Sequence, residues 1–507
     1  MGLNHLDWTI VAVYLAGITA FGLRFRRRQR SLRDYFLADR NIPWWAIALS
    51  IVAAETSTLT IISIPGLAYD QNFGFLQVVI GYLVGRAIIV VIFIPHYFRG
   101  DLFTAYQLIE GRFGQRLRAL TAGLFLATRS AAEGVRVFAV AIVVRVALGA
   151  ALTGLSDAQR DLAAIGIVTV LTLIYTFEGG MAAVIWTDVV QLFIYLCGTA
   201  VGFLTILHLV PGGWPTVYSM AGEAGKFRIF DFSPSFFRAY TFWAGLIGGT
   251  FLTTASHGTD QLIVQRLLAA RSERQSKLAL LASGVLVFLQ FGFFLLIGAM
   301  LFVFYKLHPP AVPFVRTDYI FPVFMTTYLP HGVSGLLLAA ILAAAMSNLS
   351  AALNALSSTA VIDFYLHFRP EAAESRRLSI SRSMTVVWGL LLFLLAVISR
   401  RGGKVVEVGL SIASVAYGAL LGVFLLAVLS RRAREGGAMV GMACGFVLDV
   451  CLWQFTRVPW TWYVVIGACV TFSVGYGVSR LAPSVHEHLQ EDKVASSKKQ
   501  CQYKSQP

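Results

Sequence analysis

Charged residues occur inside long apolar stretches of this chain, where exposure to lipid would cost several kcal/mol each. Arg129, Glu133 and Arg136 follow the spacing i, i+4 and i+7, which places them on one stripe of a helix. Glu55 and Asp188 lie in two further apolar stretches. The stripe is open to two interpretations, because it fits a structural ion-pair ladder and also a site where one arginine meets an anionic group of a substrate.

A second group of residues offers oxygen atoms on one helix face. Ala344, Ser347 and Asn348 lie at i, i+3 and i+4 in an apolar stretch, and Asn354 and Ser358 continue the same face. Hard cations such as sodium prefer oxygen ligands, so this face is a candidate cation site. Packing of small residues between membrane helices would also explain the alanines.

Signals of enzymes and of metal centres are weak in the sequence. The nine histidines are scattered, and only His257 adjoins a glycine-rich break. The five cysteines contain no CxxC pair, so we expect no disulfide framework, no transition-metal site and no organic cofactor. A membrane enzyme is therefore a distant alternative. A channel would usually carry a repeated filter motif, and none is visible.

The elements that position these residues are membrane spans. Apolar residues make up 57% of the 507 residues and charged residues only 13%, where a soluble chain would carry about 25%. The sequence predicts an all-α integral membrane protein with about thirteen transmembrane helices. The predicted spans are 6–24, 43–70, 74–97, 118–149, 160–177, 182–208, 238–257, 279–305, 332–364, 382–399, 405–429, 436–455 and 460–479.

The basic residues predict the orientation. Well over half of the 41 Lys and Arg residues fall in loops on the side that holds the C-terminal tail. The positive-inside rule then places the N-terminus outside and the C-terminus in the cytoplasm of a multi-pass cell-membrane protein. Because this charge sits in loops between spans, the net charge of +15 does not indicate nucleic acid. The polar segment 482–507 is predicted to be a disordered tail.

Two of the predicted spans are interrupted. Residues 50–69 are rich in small and hydroxyl side chains and meet Pro65-Gly66, and residues 245–261 contain three glycines before Ser256-His257-Gly258. Interruptions at corresponding positions of two halves are typical of inverted-repeat transporters, whose unwound backbone presents carbonyls to a cation.

Four segments resemble one known family. The sequence AAAMSNLSAALNALSSTAVIDFY (343–365) resembles a helix of the sodium/solute symporter family, and YFLADRNIPWWAIALSI (35–51) resembles the start of its first core helix. EGGMAAVIWTDVVQ (178–191) and DQLIVQRLLAARS (260–272) resemble its fifth core helix and the segment after its sixth. The resemblance runs in order from about residue 35 to about residue 365.

The resemblance implies a LeuT-type fold with a five-plus-five inverted repeat, one extra N-terminal helix and two extra C-terminal helices. It divides the chain into 1–42 (extra helix and basic loop), 43–210 (first repeat), 211–430 (second repeat), 431–481 (C-terminal helices) and 482–507 (tail). It also implies Na+ as the coupling ion, with ligands Ala53, Thr56, Ala344, Ser347 and Asn348 and with Asp188 and Asp363 near the site. The family usually has Ser or Thr where this chain has Asn348.

The implied function is sodium-coupled import of a small carboxylated or polar solute by alternating access. Candidate solute-binding residues are Glu55, Ser57, Thr58, Thr60, Arg129, Glu133 and Arg136. The expected partners are the solute and membrane lipid, with neither nucleic acid nor an obligate protein partner. A proton-coupled or uncoupled transporter of the same fold remains an alternative to sodium coupling.

Overall fold

The computed structural model describes residues 3–26, 37–99, 105–152, 154–175, 181–310, 313–365, 369, 374–400 and 404–481, and in these residues the regular structure is helical. The predicted tail 482–507 lies outside the described residues. In chain order, the helices are α1 (His5–Arg26), α2 (Trp44–Glu55), α3 (Thr58–Asp70), α4 (Leu76–Phe98), α5 (Ala105–Phe113), α6 (Gln115–Ala147), α7 (Asp157–Tyr175), α8 (Met181–Leu209), α9 (Gly213–Glu223), α10 (Gly249–Gly258), α11 (Gln261–Leu268), α12 (Glu273–Leu307), α13 (Ile320–Thr327), α14 (Val333–Thr359), α15 (Glu374–Ser399), α16 (Val405–Leu429), α17 (Glu435–Phe455) and α18 (Tyr463–Leu481).

Seven of these helices are long and apolar enough to cross a membrane by themselves, namely α4, α8, α12, α14, α16, α17 and α18. The pair α2 and α3 forms an eighth candidate, bent by 61° at a short break. The all-helical prediction is thus confirmed for the described residues, while the count of thirteen spans stays a prediction. One predicted span that is absent from these candidates is α6. This helix is long enough to cross a membrane, but Arg129, Glu133, Arg136 and Arg145 lower its hydropathy.

Both predicted interruptions exist, but one lies elsewhere than predicted. The first break falls at Thr56 and Ser57, where α2 ends, whereas Pro65 lies inside α3 without ending it. The prediction of an interruption at Pro65-Gly66 is therefore wrong. A membrane helix tolerates proline when neighbouring helices pack against the altered backbone, and here Pro65 and Ala68 lie against Gly298 of α12.

The second break follows a glycine-rich crossing of two helices. A π-helical turn (Ala244–Gly248) leads into α10, which packs closely on α4. A Cβ atom added at Gly81 of α4 would lie only 2.6 Å from the carbonyl oxygen of Gly245, so the close approach requires glycine. The helix ends at Gly258, and α11 begins after Asp260, whose carboxylate accepts the N–H of Leu262 at 2.9 Å.

The outer ends of the two broken helices are joined through their backbones. Ile42, just before α2, donates its N–H to the carbonyl of Ala269 at 3.2 Å and pairs with Ala270 beyond the end of α11. The short half-helices α2 and α11 are consequently tied together at the ends farthest from their breaks.

Helix α1 is anchored by one buried carboxylate. Asp7 is fully buried and accepts the N–H groups of Gly332 and Gly335, at 2.6 and 3.1 Å, around the start of α14. His331 lies 2.9 Å from the same carboxylate. The first turn of a helix leaves N–H groups unpaired and favours an anion, so Asp7 docks the N-terminal helix on α14.

The C-terminal helices pack through glycine. Gly441 of α17 faces Gly475 of α18, and a Cβ atom added at Gly441 would lie 2.8 Å from the Cα atom of Gly475. Asp449 of α17 is fully buried against Gly418 of α16 and Gly467 of α18. Neither oxygen of the Asp449 carboxyl group has a hydrogen-bond partner among the described residues.

Candidate functional site

The two breaks face one internal cavity of about 220 Å³. The ends of α2 and α10 border it, together with α6, α16 and the starts of α3 and α11. Its polar lining consists of Glu55, Ser57, Thr60, Tyr82, Tyr106, Thr128, Arg129, Arg136, Thr253, Ser256, His257, Asp260, Arg266, Asn348 and Tyr417. A pocket that combines apolar walls with a few convergent polar groups is the usual form of a ligand site.

The charged stripe on α6 forms one wall of this cavity. Glu133 is fully buried, and one of its oxygens lies 2.8 Å from both Arg129 and Arg136. Arg129 also lies 3.4 Å from Asp260, and Tyr417 donates to that carboxylate at 2.9 Å. Two carboxylates therefore balance two arginines. The ladder interpretation of the stripe is realised by Arg129, since both of its partners are protein carboxylates.

Arg136 differs from Arg129 in its exposure. Its side chain is 29% exposed and lines the cavity, whereas the Arg129 side chain is only 8% exposed. The ion pair with Glu133 uses one terminal nitrogen of Arg136. A guanidinium carries five N–H donors in a planar fork, so Arg136 retains donors that face the cavity and suit a planar anion such as a carboxylate.

Glu55 belongs to a second charged cluster at the cavity, formed by α2, α4 and α10. Its carboxylate pairs with Arg86 of α4, which is fully buried, and lies 3.1 Å from Nε2 of His257. Nδ1 of His257 lies 2.9 Å from the Ser256 hydroxyl. Glu55 therefore pairs with Arg86, and the carboxylate outside α6 that pairs with Arg129 is Asp260.

The hydroxyl residues of the first break do not act alike. Ser57 and Thr60 line the cavity, and the Thr60 hydroxyl donates to the Glu55 carbonyl at 2.8 Å. Thr58 is buried, does not line the cavity, and its hydroxyl has no partner among the described residues. Ser57 and Thr60 are thus the hydroxyl residues positioned to contact a solute.

The first break also supplies free backbone oxygens. The Thr56 N–H makes the last regular bond of α2, to the Val52 carbonyl at 2.8 Å. Because α2 ends at Glu55, the carbonyls that follow, beginning with Ala53, lose their i+4 donors. The Thr56 hydroxyl is held by the Val52 carbonyl and by Gln290, at 2.7 and 2.6 Å. Thr56 would therefore offer a cation its backbone carbonyl, not its side chain, and the carbonyl set fits sodium.

The residues of α14 complete the predicted sodium ligands in part. Ala344 is buried, and Asn348 lines the cavity that the first break also borders. Ser347 lies in α14, and Asp363 lies in the π-helical turn that follows it (Ala360–Tyr365). The side chains of both residues lie outside the part of the chain that the structure describes.

Asp188 is held by a buried cation. Arg266 of α11 lies 3.0 Å from its carboxylate, and both side chains are 4% exposed. Ser50 donates to the same oxygen at 2.6 Å and accepts from Arg266. Ser50 lies one turn before Ala53 on α2, so Asp188 borders the predicted sodium site while it is neutralised by Arg266.

Comparison with known proteins decides the family. The family model for the sodium:solute symporter family matches residues 35–445. The chain belongs to the sodium:solute symporter family. It is therefore a multi-pass membrane protein and a sodium-coupled symporter of a small solute, as the sequence predicts.

Relatives of this symporter support the same assignment. The sodium/sialic acid symporter NanT of Aliivibrio fischeri is 31% identical over 96% of this chain and 95% of its own length. The human sodium/iodide cotransporter is 30% identical over 88% of this chain and 69% of its own. A solved structure of a Na+-coupled sialic acid symporter, substrate-bound and outward-open, superposes with a TM-score of 0.80 at 27% identity, covering 95% of this chain and 98% of that one.

Sequence reasoning missed most partners across helices. Neither Arg86 of α4 nor His257 of α10 can be identified as a partner of Glu55 from local sequence. Asp260 and Tyr417 were not recognised at all. The position of Asp260 directly after a glycine-rich break and before an apolar run is the N-cap signal that would have identified it.

Proposed function

We propose that this symporter imports a small organic anion, with Arg136 as the residue that meets its carboxylate. The observation that carries the proposal is that the Arg136 side chain is 29% exposed at the cavity and pairs with Glu133 through one nitrogen, whereas the Arg129 side chain is only 8% exposed. The solutes named for the two relatives, sialic acid and iodide, are both anions at neutral pH. Ser57 and Thr60 would contact the polar remainder of the solute.

The sodium site belongs to the same proposal. A sodium ion would be bound by the backbone carbonyls of Ala53 and Thr56 on one side. On the other side it would be bound by oxygen atoms of three residues of α14, namely Ala344, Ser347 and Asn348. Asp188 would contribute through Ser50 rather than as a free charge, because Arg266 already neutralises it. The proposed fold has two inverted five-helix repeats, which begin with α2/α3 and with α10/α11. Helices α1, α6, α7, α10 and α15 join the eight apolar candidates to give thirteen spans. The C-terminus lies in the cytoplasm.

A panel of solutes tests the substrate class. Purified protein in liposomes is given an inward sodium gradient, and uptake is compared for neutral sugars and for carboxylated analogues of similar size. We expect carboxylates to be taken up and neutral analogues to be excluded. Tight binding of a neutral sugar would contradict the proposal.

The variant Arg136→Lys tests the residue. Lysine keeps the charge but loses the planar fork. We therefore expect weaker solute binding, with a loss smaller than the roughly 2–5 kcal/mol that truncating one side of a buried charge pair costs. Arg145→Lys is the matched control, because Arg145 lies on the same helix but pairs with Asp157 and Asp161 away from the cavity. Equal losses in both variants would show that Arg136 acts structurally.

The variants Ser347→Ala and Asn348→Ser test the ion site. Removing a ligand oxygen in Ser347→Ala should raise the sodium concentration for half-maximal uptake. Asn348→Ser restores the usual residue of the family and should lower that concentration. Uptake that a proton gradient drives equally well without sodium would favour the proton-coupled alternative.

A further inference from the structure

The cluster formed by Glu55, Arg86 and His257 contains a proton-binding group that faces the cavity. In the charge balance of the site, Arg86 neutralises Glu55, Arg129 and Arg136 are balanced by Glu133 and Asp260, and Arg266 is balanced by Asp188. His257, 4% exposed, is the basic side chain of the described lining that these pairs leave over, and imidazole is the side chain that ordinarily changes charge nearest to neutral pH. The cavity lining is thus neutral or singly positive, depending on one imidazole.

The two nitrogens of His257 have different partners. Nε2 lies 3.1 Å from Glu55, a carboxylate that only accepts hydrogen bonds, and 3.4 Å from Arg86, which only donates. The shorter contact is with the acceptor, so we assign the hydrogen of the neutral ring to Nε2. Nδ1 is then an acceptor for the Ser256 hydroxyl at 2.9 Å. In this state the single hydroxyl hydrogen of Ser256 points to the ring, and the Ser256 oxygen presents lone pairs to the cavity.

Protonation of the ring reverses the second hydrogen bond. Nδ1 then donates to the Ser256 oxygen, and the hydroxyl hydrogen of Ser256 has to turn away from the ring. Ser256 itself lines the cavity. The same hydroxyl therefore offers the solute an acceptor when His257 is neutral and a donor when His257 is protonated.

Other ionisable groups around His257 are already committed or distant. Glu55 and Asp260 are paired with arginines, and Tyr417 donates to Asp260. Tyr97 of α4 donates its hydroxyl to the carbonyl of Gly258, next to His257. The titratable and charged groups on the elements packed around His257 are Glu55 on α2, Tyr82, Arg86, His96 and Tyr97 on α4, Asp260 and Arg266 at α11, Glu407 and Tyr417 on α16, and Tyr463, Cys469, Tyr476 and Arg480 on α18.

We infer that His257 and Ser256 form a proton-linked anion site, so that an anionic solute binds together with a proton taken from water. The inference rests on the proposed function, because it requires an anion in this cavity. The proton comes from the aqueous phase, ends on Nδ1 of His257, and is released when the solute leaves. Linkage is reciprocal, so a proton that strengthens anion binding is itself bound more tightly by the anion-loaded protein.

Solute binding measured at several pH values tests this inference. The ligand is a carboxylate solute that the protein accepts, and the carboxyl group of this solute must be fully ionised throughout the measurement. The measurement runs from about pH 5.5 to about pH 8.5, the range in which imidazoles change charge, at saturating sodium. We expect affinity to fall as pH rises, approaching about tenfold per pH unit on the alkaline side for one linked proton. Mixing protein and solute in weak buffer should raise the pH.

Two variants and one control complete the experiment. His257→Gln keeps an amide that can donate to Glu55, and its affinity should be independent of pH with no proton uptake. Ser256→Ala should reduce the pH dependence and bind anions more weakly at low pH. His96→Gln is the control: His96 lies on α4, its Nδ1 contacts the backbone carbonyl of Ile92, and it is not among the cavity-lining residues that the structure describes. This variant should behave as the wild type.

The outcomes separate this inference from the substrate proposal. If carboxylates bind through Arg136 with the same affinity at every pH, or if His257→Gln keeps the wild-type pH dependence, the proton link is wrong and the substrate class stands. If no carboxylate binds and neutral solutes do, both fail. Proton uptake by the wild type is decisive even where a variant does not accumulate.

Discussion

Glu133 in the cavity wall and Asp449 between the C-terminal helices are both fully buried carboxyl groups, yet only Glu133 has cationic partners. Around the cavity, the carboxylates Glu133, Glu55 and Asp188 are each held by an arginine. Between α16, α17 and α18, close packing of glycines surrounds a carboxyl group with no partner among the described residues.

The difference separates two uses of burial. An ionisable group inside a membrane protein is typical of a place where an ion or a charged solute is handled, and around the cavity each of these carboxyl groups has an arginine as partner. A partnerless carboxyl group is expensive as an anion but far less so in its neutral form. The C-terminal region therefore behaves as a packed support for α16, which lines the cavity on its other face.

The largest expected effect comes from breaking the cavity network. Glu133→Gln removes the carboxylate shared by Arg129 and Arg136, and we expect the folded state to lose about 3–5 kcal/mol, as for other buried pairs. The readout is thermal stability of the detergent-solubilised protein and its level in the membrane. Glu273→Gln removes an exposed pair with Lys277 and should cost less than about 1 kcal/mol. Equal stability of both variants would contradict the comparison.

A smaller effect is expected from overpacking the C-terminal helices. In Gly467→Ala the new methyl group meets the Asp449 carboxyl group, and we expect a loss of about 1–3 kcal/mol in stability with unchanged affinity for sodium and solute. Gly477→Ala on the same helix is the control, because an added Cβ atom there meets nothing within 4 Å. A changed affinity in Gly467→Ala alone would mean that this region takes part in binding.

The smallest effect is expected from Asp449→Asn. The amide keeps the size of the side chain and removes the possibility of ionisation, so stability and sodium-dependent uptake should change by less than about 1 kcal/mol, because a neutral carboxyl group is replaced by a neutral isostere. Loss of uptake in a stable Asp449→Asn variant would show that Asp449 takes part in transport. The proposed difference between Asp449 and Glu133 would then be wrong.

The parts of the fold that were predictable depend on local sequence. Apolar length predicts helices such as α4, α12 and α16, and Gly258 marks the second break, because α10 ends there. The first break was misplaced because Pro65 is a strong local signal, whereas the end of α2 at Thr56 is fixed by contacts such as the bond from the Thr56 hydroxyl to Gln290 of α12. Local sequence carries no record of that contact.

The sequence predicts which residues of the site share a helix face, but not which residues form ion pairs between helices. Helical spacing placed Arg129, Glu133 and Arg136 on one stripe, and their mutual ion pairs follow from that spacing. Which neighbour completes the network depends on how distant helices pack. Asp260 pairs with Arg129 across 131 residues of sequence, and Arg86 pairs with Glu55 across 31. Periodicity within a helix cannot specify such partners.

The anchoring of α1 by Asp7 has a consequence for biosynthesis. The N–H of Gly332 that Asp7 accepts is 325 residues farther along the chain. At about 5–20 residues per second, the ribosome needs roughly 16–65 s to supply it. Throughout that interval the first helix of the nascent chain carries a carboxylate without its final partners. Docking of α1 is therefore a late assembly step, completed only after most of the bundle has been inserted.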